Sequence, residues 1–350
     1  MALPVLIVVV FKTCSDVPYG KPYCEKVKSL HNKVFANSMD TVGERNMVDS
    51  FAIAENLQDV LRIDDDLSNP QFNIALNPCD KFRMLHKHQL YDRIISEWER
   101  YVQEQPPNPG PKDVLWIPYY VADAYYEMHQ YKESLFLLER LDEGDIEDPD
   151  LEEEVMCEKA RCLFKLDSFQ EALQFIRRVK TEVSHLNLSE SCKCSLRGEL
   201  TYISAMCQYE LKEYQLAIDQ YMEASEYFAR VDQRDEPLKE ISRATCFYNS
   251  GFCLYKLGDC DAAINEAEKS LQHYEQHNGS VNNKCICYTF LGWCHLEKYK
   301  YDKALTYFQT ELDLRLRFVP SEKQDSDEDI KFARSNIQLC QNMLIREMQE

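Results

Sequence analysis

The stretch Phe247–Leu271 reads FYNSGFCLYKLGDCDAAINEAEKSL, and it decides the fold. Apolar and small residues recur at helical spacing on both sides of Gly258, which marks a short turn between two helices. Gly251 in the first helix and Ala263 in the second lack bulk, so the two helices can approach each other closely. The stretch therefore predicts an antiparallel helical hairpin.

The same pattern occurs five times along the chain. An aromatic residue or leucine ends each first helix, a side chain five residues later plugs the turn, and a small residue follows three positions further on. The turn stretches are YEMHQYKESL (Tyr126–Leu135), FKLDSFQEAL (Phe164–Leu173), YELKEYQLAI (Tyr209–Ile218), YKLGDCDAAI (Tyr255–Ile264) and LEKYKYDKAL (Leu296–Leu305). The small residues of the second helices are Ser134, Ala172, Ala217, Ala263 and Ala304, and those of the first helices, twelve positions earlier, are Ala122, Ala160, Ala205, Gly251 and Gly292.

This arrangement resembles the tetratricopeptide repeat, a family of stacked antiparallel helix pairs. The resemblance covers Val114–Phe318 and has its clearest match in the fourth unit, at Phe247, Gly251, Tyr255, Gly258, Ala263 and Leu271. It implies an all-α fold, a solenoid of helical hairpins wound as a right-handed superhelix. The units are of a long type, from 38 residues (Ser134 to Ala172) to 46 residues (Ala217 to Ala263), whereas the family's usual repeat has about 34.

The remaining sequence divides into segments around these repeats. Residues 1–20 contain the apolar run ALPVLIVVVF, expected as a short extended arm or strand, with a processed signal segment as the alternative. Residues 21–105 are expected to be an N-terminal helical extension, with degenerate repeats as one interpretation, in which Lys81–Glu104 reads as one long helix. A proline-rich linker at 106–113 precedes five repeats at 114–318, and an acidic loop at 319–328 and a capping helix at 329–350 follow them.

Charge and cysteine usage restrict the partners and the compartment. The chain has 60 acidic and 40 basic residues, a formal charge of −20 that repels the phosphate backbone of nucleic acid and an anionic lipid surface. A protein or peptide partner of basic or amphipathic character is expected instead, without membrane insertion, because the apolar run is too short to span a bilayer. The 15 cysteines are scattered through helical patterns, which predicts a reducing, cytoplasmic location.

Motifs for enzymatic chemistry are absent from the sequence. There is no glycine-rich phosphate loop after a strand, no GxSxG elbow and no HExxH motif, so neither an enzyme nor a cofactor is predicted. The pairs Cys192/Cys194 and Cys285/Cys287 are interpreted as packed helical cysteines rather than zinc ligands, and His86 and His88 point to different faces of a helix. The acidic run Asp142–Glu154 is expected to be a solvated loop, and no metal site is predicted.

The family resemblance also implies where a partner binds. In tetratricopeptide repeats the first helix of each pair lines a concave groove, and the matching positions here are Tyr119, Asp123, Arg161, Tyr202, Met206, Tyr248, Asn249, Phe252, Thr289 and Trp293. Aromatic side chains are suited to this role because they combine a large apolar face with a polar atom. Tyr126, Tyr209 and Tyr255 are equally well interpreted as core residues.

The predicted function is that of an adaptor or scaffold that holds a peptide or helix of a partner in this groove. One alternative is an obligate structural subunit whose surfaces are buried in a larger assembly. Another is an enzyme or metal protein that uses the N-terminal region.

Overall fold

A computed structural model describes residues 78–104, 111–142, 146, 148–232, 239–319, 323–324 and 326–349. Within these ranges the chain forms thirteen α-helices and no strand. The expected arm at 1–20 lies outside the described residues, as does the helical extension before Pro78. The proline-rich linker is described only from Pro111, where it is already helical. No helix in the described ranges has the length and apolarity needed to cross a membrane.

The chain divides into two compact units, and the larger is Val48–His277. Its helices, arranged as hairpins in chain order, are α1 (Pro78–Lys87), α2 (Tyr91–Glu104), α3 (Pro111–Glu127), α4 (Tyr131–Asp142), α5 (Pro149–Lys165), α6 (Phe169–Glu182), α7 (Glu190–Glu210), α8 (Tyr214–Phe228), α9 (Lys239–Leu257) and α10 (Cys260–Gln276). The described part of the other unit begins at Asn278. Its described helices are α11 (Val281–Glu297), α12 (Tyr301–Phe318) and α13 (Glu328–Glu347).

One turn geometry closes every hairpin. A single residue in each turn has a positive φ, between 56° and 88°: Gln89, His129, Asp167, Lys212, Gly258 and Tyr299. Its amide donates to the carbonyl three residues back, and the next amide donates five residues back, as in His129 to Tyr126 (2.9 Å) and Gln130 to Tyr125 (2.8 Å). These bonds satisfy carbonyls that a helix end otherwise leaves unpaired. The described part of the chain therefore contains six copies of one turn, five of them without glycine.

The turn at Gln89 corrects the prediction of one long helix over Lys81–Glu104. The helix ends at Lys87 and restarts at Tyr91, with Gln89 in the left-handed region (φ 56°). Ile94, which is fully buried, occupies the position that holds a small residue in the other hairpins. The break escaped prediction because it contains neither glycine nor proline and the apolar spacing continues across it.

Small and aromatic residues pack the two helices of each hairpin against each other in the larger unit. Ser134, Ala172, Ala217 and Ala263 have no exposed surface, as the close approach of paired helices requires. The aromatic residue that ends a first helix contacts the one that begins the second: the ring centroids are 5.3 Å apart for Tyr126 and Tyr131, 5.7 Å for Phe164 and Phe169, and 5.5 Å for Tyr209 and Tyr214. Tyr126 and Tyr209 therefore pack within their own hairpins.

The acidic run Asp142–Glu154 is only partly a loop. The Asp148 side chain accepts a hydrogen bond from the amide of Asp150 (3.2 Å), and Pro149 begins α5, so the following carboxylates lie on the first turns of a helix. Acidic residues are favourable there because the amide end of a helix carries partial positive charge. The predicted solvated loop is thus replaced by a capped helix start.

In the other unit, α13 packs on α12. Ile330, Ala333 and Cys340 of α13 are fully buried. Arg315 of α12 donates to Glu311 on its own helix (Nε to Oε1, 2.9 Å) and links α12 to α13 through Asp329 (Nη1 to Oδ2, 2.7 Å). The capping helix expected at 329–350 thus runs from Glu328 to Glu347, and Asp327 caps its start by accepting from the amide of Ile330 (2.9 Å).

Candidate functional site

Four neighbouring first helices, α3, α5, α7 and α9, carry the predicted groove positions of the unit Val48–His277. Each contacts the next, α3 with α5, α5 with α7 and α7 with α9. Seven of the eight predicted positions on these helices lie three residues before or one residue after the small residue, for example Tyr202 and Met206 around Ala205, and Asn249 lies two residues before Gly251. Several of these side chains bond residues at other positions of the neighbouring first helix. We call the line formed by these contacts, together with Met206 one turn after Tyr202, the inner row; its members are Tyr119, Glu154, Arg161, Glu199, Lys239, Tyr202, Met206 and Asn249.

The inner row begins at α3. The Tyr119 hydroxyl donates to Glu154 Oε2 of α5 (3.1 Å), and the Trp116 indole N–H donates to the Asp148 carboxylate before α5 (3.0 Å). One helical turn after Tyr119, Asp123 Oδ2 lies 2.7 Å from His86 Nε2 of α1. Polar bonds thus tie α3 to both of its neighbours.

The middle of the inner row is a network of ionised groups around Glu199 of α7. Arg161 of α5 donates to Glu199 (3.3 Å) and to Glu158 (3.1 Å) on its own helix, and Lys239 of α9 donates to the other oxygen of Glu199 (2.9 Å). Burial opposes ionisation of Glu199, but Lys239 and Arg161 outweigh it and lower its pKa to about 2. Glu199 therefore holds three helices together as a carboxylate.

The row ends at α9, where Asn249 donates from its amide nitrogen to the Tyr202 hydroxyl of α7 (2.9 Å). Both residues are buried, and burial raises the pKa of Tyr202, so its hydroxyl stays protonated. The bond gives a partner to the buried Tyr202 hydroxyl and to the Asn249 amide nitrogen, which avoids the cost of leaving these two groups unpaired.

The structure does not leave most predicted groove residues open to a partner. Eight of the ten are buried: Tyr119, Asp123, Tyr202, Tyr248, Asn249, Phe252, Thr289 and Trp293. Arg161 and Met206 keep part of their surface exposed. The sequence predicted an open groove lined by aromatic side chains. The structure instead has a closely packed row in which few of the predicted side chains are partly exposed.

Phe252 and Trp293 illustrate why. Phe252 has no exposed surface, and its ring centroid lies 5.8 Å from that of Tyr209 on the preceding first helix. Trp293, in the other unit, is 4% exposed and meets Phe308 of its own hairpin edge to face at 6.0 Å. A side chain that points away from the small residue of a first helix therefore packs against a neighbouring helix or within its own hairpin.

Three charged members of the row were not identified from the sequence: Glu154, Glu199 and Lys239. A signal for two of them existed, because Glu154 and Glu199 both stand six residues before the small residue of their first helix, Ala160 and Ala205. The predicted groove was based mainly on positions with aromatic residues and did not include this recurring glutamate. Lys239 carried no comparable signal, since it begins α9 and meets Glu199 only through folding.

Comparison with known proteins agrees with this architecture. A sequence model of the tetratricopeptide repeat matches residues 242–317, and the model described as anaphase-promoting complex, cyclosome, subunit 3 matches residues 127–224. A search of curated proteins returned no match.

Solved structures with the same fold include the apo form of RapI (TM-score 0.55, 15% identity, 77% of this chain and 73% of RapI). Another is BtubC (BKLC) from P. vanneervenii (TM-score 0.51, 19% identity, 69% of this chain and 94% of BtubC). Identities this low support the fold alone. The hairpins with their single turn geometry, the two sequence matches and these similar structures identify the described chain as an array of tetratricopeptide-type repeats.

Proposed function

We propose that this protein is a scaffold that binds a polypeptide segment of a partner along the inner row. The observation that carries the proposal is the continuity of polar contacts across α3, α5, α7 and α9, which fixes the positions of charged groups along the row. Preorganised groups bind with little loss of side-chain entropy. Glu154, Arg161, Glu199 and Lys239 keep partial exposure and alternate in sign along the row.

The proposed partner segment is basic or amphipathic, because a chain of net charge −20 attracts positive polypeptides. Met206, half-buried beside Ala205 on α7, offers it an adaptable apolar contact. The other predicted groove residues, apart from the half-buried Arg161, are buried. No catalytic role is part of the proposal, and the proposed compartment is the cytosol, where the 13 described cysteines, all free thiols, remain reduced.

A matched pair of variants tests the proposal. Met206→Glu places a charge on the inner row, whereas Leu216→Glu places the same charge on α8, where Leu216 is 50% exposed. Both intact variants and the wild type are used for affinity capture from cells, with mass spectrometry of bound proteins. The proposal expects Met206→Glu to lose partners that Leu216→Glu retains, with both variants keeping wild-type helix content. Equal retention by both variants contradicts it.

A second candidate function is an obligate subunit of a larger assembly. Two observations favour it: Phe136, Leu216 and Leu257 are 58%, 50% and 51% exposed, and the model matching residues 127–224 describes a subunit of a multiprotein complex. For such a subunit, Leu216→Glu and Phe136→Glu release the partners and Met206→Glu does not. Size-exclusion chromatography adds a test, since an obligate subunit purified alone self-associates.

A further inference from the structure

Two histidines and a glutamate meet at the end of the α9–α10 hairpin opposite the Gly258 turn. Glu240 is the second residue of α9, and His273 and His277 lie one helical turn apart at the end of α10. Glu240 Oε2 is 3.4 Å from His273 Nδ1 and 3.8 Å from His277 Nε2, and all three potential ligand atoms lie within 4.8 Å of one another. Because the helices are antiparallel, distant positions in sequence converge here.

We propose that Glu240, His273 and His277 form a Zn²⁺ site. Tetrahedral zinc has bonds of about 2.0–2.2 Å to nitrogen and oxygen, so its ligand atoms lie about 3.4 Å apart. The Glu240–His273 distance already has this value, and the Glu240–His277 distance exceeds it by a few tenths of an ångström. Two histidines with one glutamate is a ligand set that zinc uses with a fourth position left for water or another donor.

The surroundings of the three side chains limit their alternative positions. Glu240 is 6% exposed, the two imidazole rings are stacked with centroids 5.9 Å apart, and the His273 ring contacts Phe247 at 5.2 Å. The hairpin therefore supplies ligands that are already near binding geometry, which reduces the entropic cost of capturing an ion.

Arg243 is the group that competes with zinc. Its Nη1 lies 3.6 Å from Glu240 Oε2, and its side chain is 31% exposed. Removing this competing charge is therefore expected to tighten zinc binding. Since Arg243 is four residues before Phe247 and its guanidinium lies 5.8 Å from that ring, the released side chain retains a contact in the zinc-bound form.

Zinc bound here joins the first turn of α9 to the last residues of α10. The turn at Gly258 closes one end of this hairpin, and the ion closes the other. Such a crosslink stabilises the folded hairpin because the ligands are brought together only by folding.

Isothermal titration of the intact, chelator-stripped chain with ZnCl₂ tests the site. Cys192 and Cys194 are only half-buried, so all variants carry Cys192→Ser and Cys194→Ser to remove the most accessible closely spaced thiols. One Zn²⁺ per chain is expected. Glu240→Gln and His273→Ala should each weaken the Kd by more than about tenfold, His185→Ala should not change it, and Arg243→Gln should lower it.

Cobalt substitution distinguishes this site from cysteine ligation. Co²⁺ should give the visible absorption of a four-coordinate ion without thiolate charge transfer, and the absorption should be lost in Glu240→Gln. Circular dichroism of the metal-free variants checks that they are folded. Three outcomes each overturn the proposal: failure of the chain that carries only Cys192→Ser and Cys194→Ser to bind Zn²⁺ stoichiometrically, unchanged affinity in a folded Glu240→Gln variant, or a thiolate charge-transfer band.

Discussion

Gly292 has no room for a side chain because the Phe308 ring lies next to it. A Cβ at this position would lie 2.5 Å from Cε1 of Phe308, a fully buried ring. Gly292→Ala therefore forces the ring or the helix to shift, and we expect it to destabilise the fold by about 1–3 kcal/mol. Urea denaturation followed by circular dichroism measures the loss.

Gly258→Asn is the control for this prediction. Gly258 has a φ of 88°, and a Cβ added to it would meet no atom within 4 Å, so only backbone conformation limits the residue. Asparagine tolerates left-handed conformations, and the other five turns already use non-glycine residues. Its stability should stay close to that of the wild type. A larger loss for Gly258→Asn than for Gly292→Ala contradicts the steric argument.

Replacing Phe252 tests whether its side chain belongs to the core or contacts a partner directly. Because the ring is fully buried against Tyr209 and also lies 4.9 Å from the Lys256 ammonium, we expect Phe252→Ala to lower stability by about 3–5 kcal/mol. Thermal unfolding of Phe252→Ala and of Phe136→Ala, a 58% exposed phenylalanine, gives the comparison. Equal and small changes in the two variants would show that Phe252 is not part of the core.

At the scale of the elements, Glu199 joins α5, α7 and α9, and this produces a pH dependence. Its pKa falls from 4.5 to about 2 in the folded chain. A carboxyl whose folded pKa is lowered contributes stability above its unfolded pKa, and that contribution is lost as pH falls toward the folded pKa. The shift corresponds to about 3 kcal/mol at neutral pH.

The measurement compares wild type with Glu199→Gln by urea denaturation from neutral pH downward. The variant should be less stable at neutral pH, and the difference should shrink as the pH falls from about 5 toward about 2. Glu226→Gln is the control, because its pairing with Arg230 is exposed at 3.9 Å and contributes little. A difference between wild type and Glu199→Gln that does not change with pH excludes the ionic role of Glu199.

The contact between α9 and α10 depends on Ala263, which has no exposed surface. Ala263→Leu adds bulk where the paired helices approach, and we expect a loss of about 1–3 kcal/mol through overpacking. Ala262→Leu, at a half-buried neighbouring position, should cost less. Thermal unfolding of both variants checks the register, and an unchanged midpoint for Ala263→Leu contradicts it.

At the scale of the whole molecule, stability in the Val48–His277 unit is distributed through neighbouring contacts. The main helix contacts there join adjacent helices or successive first helices. Damage to one hairpin of such an array therefore remains near that hairpin. Hydrogen exchange of Ala263→Leu should show faster exchange in α9 and α10 and unchanged protection in α3 and α4. A uniform loss of protection across the unit indicates all-or-none unfolding instead.

The sequence by itself determined the hairpins and their register. Small residues such as Ala217 and aromatic residues such as Tyr214 act locally, between a helix and the helix that directly follows it. Their fixed spacing in the chain therefore becomes a fixed geometry, and it was sufficient to predict five hairpins. The hairpin around Gln89 has the aromatic Tyr91 but Ile94 in place of the small residue, and identifying it required the structure.

Tertiary structure alone decided which first-helix residues are covered and which side chains converge. Phe252 was expected to face a partner, but packing between successive first helices buries it, and helical spacing holds no information on that contact. The same applies to Glu240 and His273, which belong to different helices and meet at 3.4 Å only because the hairpin folds back on itself. Burial and convergence depend on contacts between residues far apart in the chain, so the structure was needed to locate both the inner row and the zinc ligands.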